Sequence, residues 1–279
     1  MGGRPVRLRL LAPALAAAAL ACAAGAPAAD AAPVRFAVKG DWGDATPAQA
    51  AVTRRMCAEA RRSPYAFVLT TGDNFSPAGE ATAANFDRPE RCLLRIGVRW
   101  RAAWGNHDVL GTGTATALDS PRRFYAFSAG PLRVVVLDGN DPDDPAQLRF
   151  LRAEMTRPRT GPRVVAFHQP IRTSGIHPPE DDARRLWEPL LRRGRVSLVL
   201  QGHNHMYERI EAGGITYITT AGGGAQVYPC VRLFTDGLRE CAIEHHFLIV
   251  TATARALGVR VVSPRGRTIE RVRIAVPRA

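Results

Sequence analysis

Apolar positions along this chain follow two rhythms. Short apolar runs recur at Val34–Lys39, Ala66–Thr71, Arg99–Trp104, Arg133–Leu137, Arg163–Phe167 and Val196–Leu200. Runs of this length, bounded by turn residues, predict strands. Between them the spacing turns helical. Thr46-Pro47-Ala48-Gln49 reads as a capping box with proline at the first helical position, opening a helix that reaches about Arg62. Further helices are predicted from about Pro145 to Met155 and over Asp181–Arg193. Strands alternating with helices argue for βαβ units. From Ile215 onward the pattern changes to hairpins, with strands near Ile215–Thr220, Phe247–Thr253, Val259–Val262 and Ile269–Ile274. That β-rich tail predicts a second sheet packed on the first. No internal repeat, long linker or heptad pattern divides the chain, so residues 32–279 are expected to form one α/β domain.

The N-terminus stands apart. Arg4, Arg7 and Arg9 precede an apolar stretch, Leu10 to Ala21, that is shorter than the about 20 residues a membrane span needs. Small-residue cleavage patterns follow at Ala26-Pro27-Ala28 and Ala29-Asp30-Ala31. Residues 1–31 therefore read as a cleaved signal peptide, and the protein as secreted or extracytoplasmic, without stable membrane insertion. Four cysteines remain after residue 31: Cys57, Cys92, Cys230 and Cys241. An even number in an exported protein suggests two disulfides. Three pairings are possible. Cys57–Cys92 with Cys230–Cys241 is preferred, because the second pair closes a short loop. No CxxC occurs, so nothing supports a thiolate zinc site.

Composition changes this picture little. The 279 residues are 46% hydrophobic and 23% charged, which excludes a disordered or fibrous chain. Lys plus Arg outnumber Asp plus Glu by 38 to 25, giving +13 and a pI near 10.8. Such a balance would suit an anionic partner. The arginines are spread along the chain without interleaved aromatics, however, so nucleic acid is not expected as a partner. A small anionic substrate is, with a monomer as the default.

Nearly every predicted strand before residue 205 runs into metal-ligand residues. Val34–Lys39 leads to Gly40-Asp41-Trp42-Gly43-Asp44, and Ala66–Thr71 leads to Gly72-Asp73-Asn74. Arg99–Trp104 leads to Gly105-Asn106-His107-Asp108, and Arg163–Phe167 to His168. Val196–Leu200 leads to Gln201-Gly202-His203-Asn204-His205. In open α/β sheets, sites form where loops converge at the carboxyl ends of strands. Carboxylate, amide oxygen and imidazole suit Zn, Mn or Fe. Asp41, Asp73, Asn106, His168, His203 and His205 are too many donors for one four-coordinate ion. They suit two ions about 3.5–4 Å apart, which could hold a phosphate and a hydroxide nucleophile together.

In order and spacing these motifs resemble the calcineurin-like metallophosphoesterases, and within them the small purple (tartrate-resistant) acid phosphatases. The resemblance covers residues 41 to 205. It implies a four-layer αββα sandwich of two mixed β-sheets flanked by helices. It also implies a metal-dependent phosphoesterase, most similar to acid phosphomonoesterases, acting on a small phosphate ester through a metal-bound hydroxide. By position, Asp41 and His205 would bind the first metal, Asp73 would bridge, and Asn106, His168 and His203 would bind the second. His107 would bind the phosphate or protonate the leaving oxygen. His177 falls where the small acid phosphatases carry another histidine near the site. The metal pair could be Fe, Mn or Zn.

One departure stands out. The purple enzymes carry an iron-ligating tyrosine three residues after the bridging aspartate, where this chain has Ser76. Other members carry histidine two residues after the first aspartate, where this chain has Gly43. The first metal is left with Asp41, Asp73 and His205, to be completed by water, Ser76 or Asp44. Without a phenolate ligand no purple colour is expected. Two other functions use the same residues: a phosphodiesterase or nucleotidase, and a non-catalytic phosphate-binding protein with a degraded first site. Elsewhere, Trp42 is expected either beside the site or in the core. His245-His246 is expected at the surface, and Gly222-Gly223-Gly224 in a turn near the site.

Overall fold

The computed structural model describes residues 1–2, 32–231 and 235–276. The expected signal peptide lies outside the described residues except for Met1 and Gly2. The fold begins with β1 (Val34–Lys39), whose residues alternate between two interiors. Phe36 and Val38 point into a core shared by both sheets, and Ala37 points to the opposite face, under helices. α1 (Pro47–Arg62) follows, capped by the Thr46 hydroxyl, which accepts from the Gln49 N–H. The Gln49 carbonyl does not close the box on Thr46. It accepts from the Ala45 N–H instead.

β2 (Val68–Thr70) and β3 (Trp100–Ala102) continue the first sheet in parallel with β1. Between them, α2 (Arg91–Ile96) is tied to α1 by the Cys57–Cys92 disulfide. A single turn, α3 (Gly113–Thr116), precedes the second sheet. That sheet starts with the hairpin β4 (Tyr125–Ala129) and β5 (Leu132–Val136). It continues through α4 (Pro145–Thr156), β6 (Arg163–Ala166), α5 (Asp181–Arg193) and β7 (Leu198–Gln201). Strands β5, β6 and β7 are parallel. β8 (Tyr207–Ala212), β9 (Ile215–Thr220) and β10 (Leu238–Ala242) complete it, in the order β10-β8-β9-β7-β6-β5-β4.

The tail does not make a sheet of its own. β11 (Phe247–Ala252) pairs antiparallel with β1, in register Val34 to Ala252. β12 (Ala256–Val262) and β13 (Thr268–Ala275) extend outward from it. The first sheet is therefore β13-β12-β11-β1-β2-β3, and the second is the one led by the middle of the chain. Both are mixed, and their facing residues (Phe36, Val38, Leu69, Val134, Leu198, Val250) form one core. α1 and α2 cover the outer face of the first sheet through Met56 and Leu93. α4 and α5 cover the second through Leu151 and Trp187. This is the αββα sandwich.

Three strands escape the sequence pattern. β4 and β10 are edge strands without a fully buried residue. β8 is disguised by Glu208, a fully buried carboxylate that accepts from Ser174 N–H and hydroxyl at 2.7 and 2.8 Å and from Thr219 Oγ1 at 2.7 Å. Among the described residues no helix is long and apolar enough to cross a membrane.

Candidate metal centre

The carboxyl ends of β1, β2, β3, β6 and β7 meet at one edge of the sandwich. Backbone bonds stitch their loops together. Asp41 N–H donates to Gly72 O, Trp42 N–H to Asp73 O and Gly202 N–H to His168 O. Thr71 Oγ1 reaches Thr220 O at 3.1 Å. Three of the predicted ligands, Asp41, Asp73 and His203, hold positive φ (54°, 47° and 69°). Non-glycine residues in that region cost on the order of 1–3 kcal/mol each and persist where surrounding structure enforces them. Gly105 is required by proximity. A Cβ there would lie 2.1 Å from Asp73 Oδ1.

His168 is the centre of the deeper half. It is fully buried, and its Nδ1 lies 2.8 Å from the Thr71 carbonyl, to which it must donate. Its Nε2 then faces Asn106 Oδ1 at 3.1 Å, Asp73 Oδ2 at 3.2 Å and His203 Nδ1 at 3.3 Å. One ligand atom from each of Asp73, His168 and His203 lies within 4.8 Å of the others. Neutral His168 presents only a lone pair here, so lone pairs of imidazole, carboxylate and amide oxygen converge. Such a set repels itself unless a proton or a cation sits among them. The donor set therefore fits a metal ion. In the protein alone the proton takes that place. Burial opposes a charge on His168, but Asp73 and Asp41 raise its pKa to about 10. Burial pushes the Asp73 carboxyl up, yet His168 and the His107 N–H hold it well below the usual range. Burial, His168 and His177 lower His203 to about 3.

The outer half pairs Asp41 with His205. His205 Nδ1 donates to the Gln226 carbonyl at 2.8 Å, which turns Nε2 toward Asp41 Oδ1 at 3.3 Å. Asp41 also accepts from the His203 N–H at 3.1 Å, so one carboxylate serves both halves. All six predicted ligands thus meet within one constellation, with Asp73 between the two groups.

A model of the calcineurin-like phosphoesterase family matches residues 34–207, more than half of the chain. The chain belongs to the calcineurin-like phosphoesterases. Members of the family hydrolyse phosphoesters with divalent metal ions. Among relatives, purple acid phosphatase 7 of Arabidopsis thaliana is 25% identical over 236 residues, spanning 69% of this chain and 70% of its own. Tartrate-resistant acid phosphatase type 5 of Mus musculus is 26% identical over 247 residues, spanning 71% and 75%. Two solved structures share the fold with TM-scores of 0.75. A purple acid phosphatase from yellow lupin seeds is 16% identical, and the match covers 88% of this chain and 54% of that one. The GAP50 anchor of the inner membrane complex of Plasmodium is 17% identical, covering 88% and 90%.

In this phosphoesterase a cleft of about 370 Å3 opens over the outer half, lined by Asp41, Asp44, Asp73, Ser76, His107 and His205. The His107 side chain is 39% exposed at its wall. Its Nδ1 donates to the Pro77 carbonyl at 2.9 Å, leaving Nε2 in the cleft, 3.9 Å from Asp73 Oδ2. His177 sits off the ligand cluster, its ring 4.4 Å from that of His203. Burial and His205 push its pKa down.

Sequence reasoning left three supporting residues of this phosphoesterase without a role. Asn204 lies between His203 and His205 in the chain. Its amide clamps the 173–177 loop by accepting from His177 N–H at 2.9 Å and donating to His177 O at 3.0 Å. Asp108, fully buried, accepts from Gly105 N–H, Asn74 N–H and Thr114 Oγ1 at 2.7, 3.0 and 2.8 Å. Both stood inside quoted motifs, which was their signal. Tyr228 had none. It stacks on His205 from a loop secured by the Cys230–Cys241 disulfide.

The other sequence candidates resolve as follows. Trp42 belongs to the core, fully buried against Trp100 with centroids 5.4 Å apart. Gly223 N–H donates to Gly40 O, so the glycine run does back onto the site. The expected surface position of the histidine doublet is wrong for His246. Its ring is fully buried, with Nδ1 2.8 Å from Glu244 O and Nε2 3.1 Å from Thr220 Oγ1. These local partners satisfy the ring inside the protein, where burial lowers its pKa to about 4.

Proposed function

We propose that this phosphoesterase is an exported phosphomonoesterase of the acid-phosphatase kind, holding two metal ions. The observation that carries the reading is the convergence of carboxylate, amide and imidazole acceptor atoms on His168 Nε2, beside a second carboxylate–imidazole pair, Asp41 with His205. Asp73 lies between the two groups and would bridge. Asn106, His168 and His203 would hold the deeper ion, and Asp41 and His205 the outer one. When bound, two divalent ions polarise the phosphate and lower the pKa of an attacking water.

The chain's own residues then define the rest. His107 Nδ1 is fixed on Pro77 O, so Nε2 is the nitrogen free to face a phosphate oxygen or give a proton to the leaving alkoxide. Its partial exposure lets the ester group extend into solvent. His177 supports His203 by ring contact. Two disulfides and the leader-like start of the sequence support export.

The test is hydrolysis of p-nitrophenyl phosphate by the mature chain after chelation and after return of Mn, Zn or Fe. Activity should vanish and return. His107→Ala should lose turnover while keeping its metal, and His203→Ala should lose turnover together with the deeper ion. Full turnover by His107→Ala would overturn its role. Faster cleavage of bis-(p-nitrophenyl) phosphate would instead assign a diesterase, and bound metal without turnover a binding protein.

A further inference from the structure

We infer that Asp44 is a ligand of the outer metal ion, completing a set that Asp41, Asp73 and His205 leave short. This rests on the metal-dependent reading above. Zn, Mn and Fe sites take four or more donors, and three protein ligands leave the outer ion open. The cleft over Asp41, Asp73 and His205 offers Asp44 and Ser76 as further oxygen donors.

Asp44 carries the stronger indication. Its Oδ1 is shielded from solvent and has no hydrogen-bond partner among the described residues. A carboxylate oxygen in that condition loses hydration with nothing in return, and the Asp44 residue lines the cleft that also holds the Asp41 and Asp73 carboxylates. Like charges so arranged repel, and a cation among them removes both penalties. A serine hydroxyl is neutral and makes a weaker donor to a hard ion.

The backbone supports this assignment. Ser76 N–H donates to Gly43 O at 3.1 Å, and Ala45 N–H donates to Gln49 Oε1 at 3.0 Å. Asp44 is thus pinned on both sides, at the rim of the cleft. The preceding position cannot serve. A Cβ on Gly43 would lie 1.9 Å from the Asn74 carbonyl oxygen, a backbone atom fixed between β2 and the Asp108 network. No side-chain ligand fits there, so a further donor from this loop has to come from Asp44. The outer ion would then have three carboxylates and one imidazole, an oxygen-rich set suited to Mn, Fe or Zn and lacking any phenolate absorption.

The experiment is equilibrium dialysis of the full chain against Mn(II), with bound metal counted by mass spectrometry and melting followed with and without Mn(II). Wild type should bind two ions. Asp44→Ala and Asp44→Asn should keep one and bind the other about 100-fold more weakly, the loss expected for a ligand or its immediate support. Ser76→Ala should retain both. Without metal, Asp44→Ala should melt no lower than wild type, because among the described residues the buried Oδ1 it removes has no hydrogen-bond partner. His203→Ala should bind one ion, and His203→Ala with Asp44→Ala should bind none. Two ions held by Asp44→Ala at wild-type affinity would overturn the inference and leave the phosphoesterase reading intact. No metal bound by wild type would overturn both.

Discussion

The ring of Tyr228 lies flat on that of His205, with centroids 4.2 Å apart and planes 12° from parallel. Tyr228 N–H also donates to the His205 carbonyl at 2.8 Å, so ring and backbone hold the same residue. With Nδ1 fixed on Gln226 O, His205 has one orientation, and Nε2 faces the cleft. Tyr228→Ala should weaken the outer ion about 3- to 10-fold, the worth of one aromatic pair. Tyr228→Phe keeps the ring and should match wild type. Metal titration of the two variants decides this.

Asp108 ties the β2 and β3 loops together through Asn74, Gly105 and Thr114. Asp108→Asn places an amide N–H2 against donors that now need an acceptor. The expected loss is about 2–3 kcal/mol, with lower metal occupancy, because Asp73 and Asn106 stand on the loops it joins. Denaturant melts and metal counting on one sample would show both effects together.

Metal uptake should depend on pH with a definite sign. His168 carries a proton in the protein alone, with a pKa of about 10 against an ordinary 6.5. Its contribution to the stability of that form is complete below 6.5 and is lost as pH rises through about 10. An ion must displace that proton, so affinity should rise about tenfold per pH unit below 10 for each proton released. Calorimetry in buffers of different ionisation heat measures the proton count directly. A count of zero at neutral pH would contradict the assignment of His168 as a ligand.

Beneath the Asp41–Trp42 loop, Lys39 and Glu90 form an ion pair 2.6 Å long with both side chains fully buried. Thr53 Oγ1 lies 2.9 Å from Lys39 Nζ, and Gln49 donates to Glu90 at 3.0 Å. Lys39→Met leaves Glu90 charged and unpaired, and should cost about 3–5 kcal/mol. Lys39→Met with Glu90→Leu should recover much of it. A double mutant no better than the single would show that the pair is not the source.

The convergence of the six candidate ligands was legible because each follows an apolar strand in chain order and the parallel strands bring their ends together. The two glycines that let loops approach, Gly105 and Gly202, were visible for the same reason. The division of strands between sheets was not legible. The tail reads as hairpins wherever it docks, and only the pairing of β11 with β1 assigns it to the first sheet. β8 was hidden because Glu208 occupies a core position, satisfied by Ser174 and Thr219 from other segments. Tyr228 depends on a partner far along the chain, and no local spacing announces it, whereas Asp44 stood beside water and Ser76 as a candidate that spacing alone did not separate. His246 misled for the converse reason, since its hydrogen bonds to Glu244 and Thr220 make burial tolerable for a residue that patterning puts outside.

Lys39 is the chain's one lysine, and it is fully buried. Its ammonium is enclosed by Glu90, Thr53 and the face of Trp42, 4.2 Å from the ring centroid. Acylating reagents that seek side-chain amines therefore find no target on the folded surface. Any label that appears at Lys39 records a molecule that had opened through its first sheet, so the rate of labelling is a built-in clock for opening of that sheet.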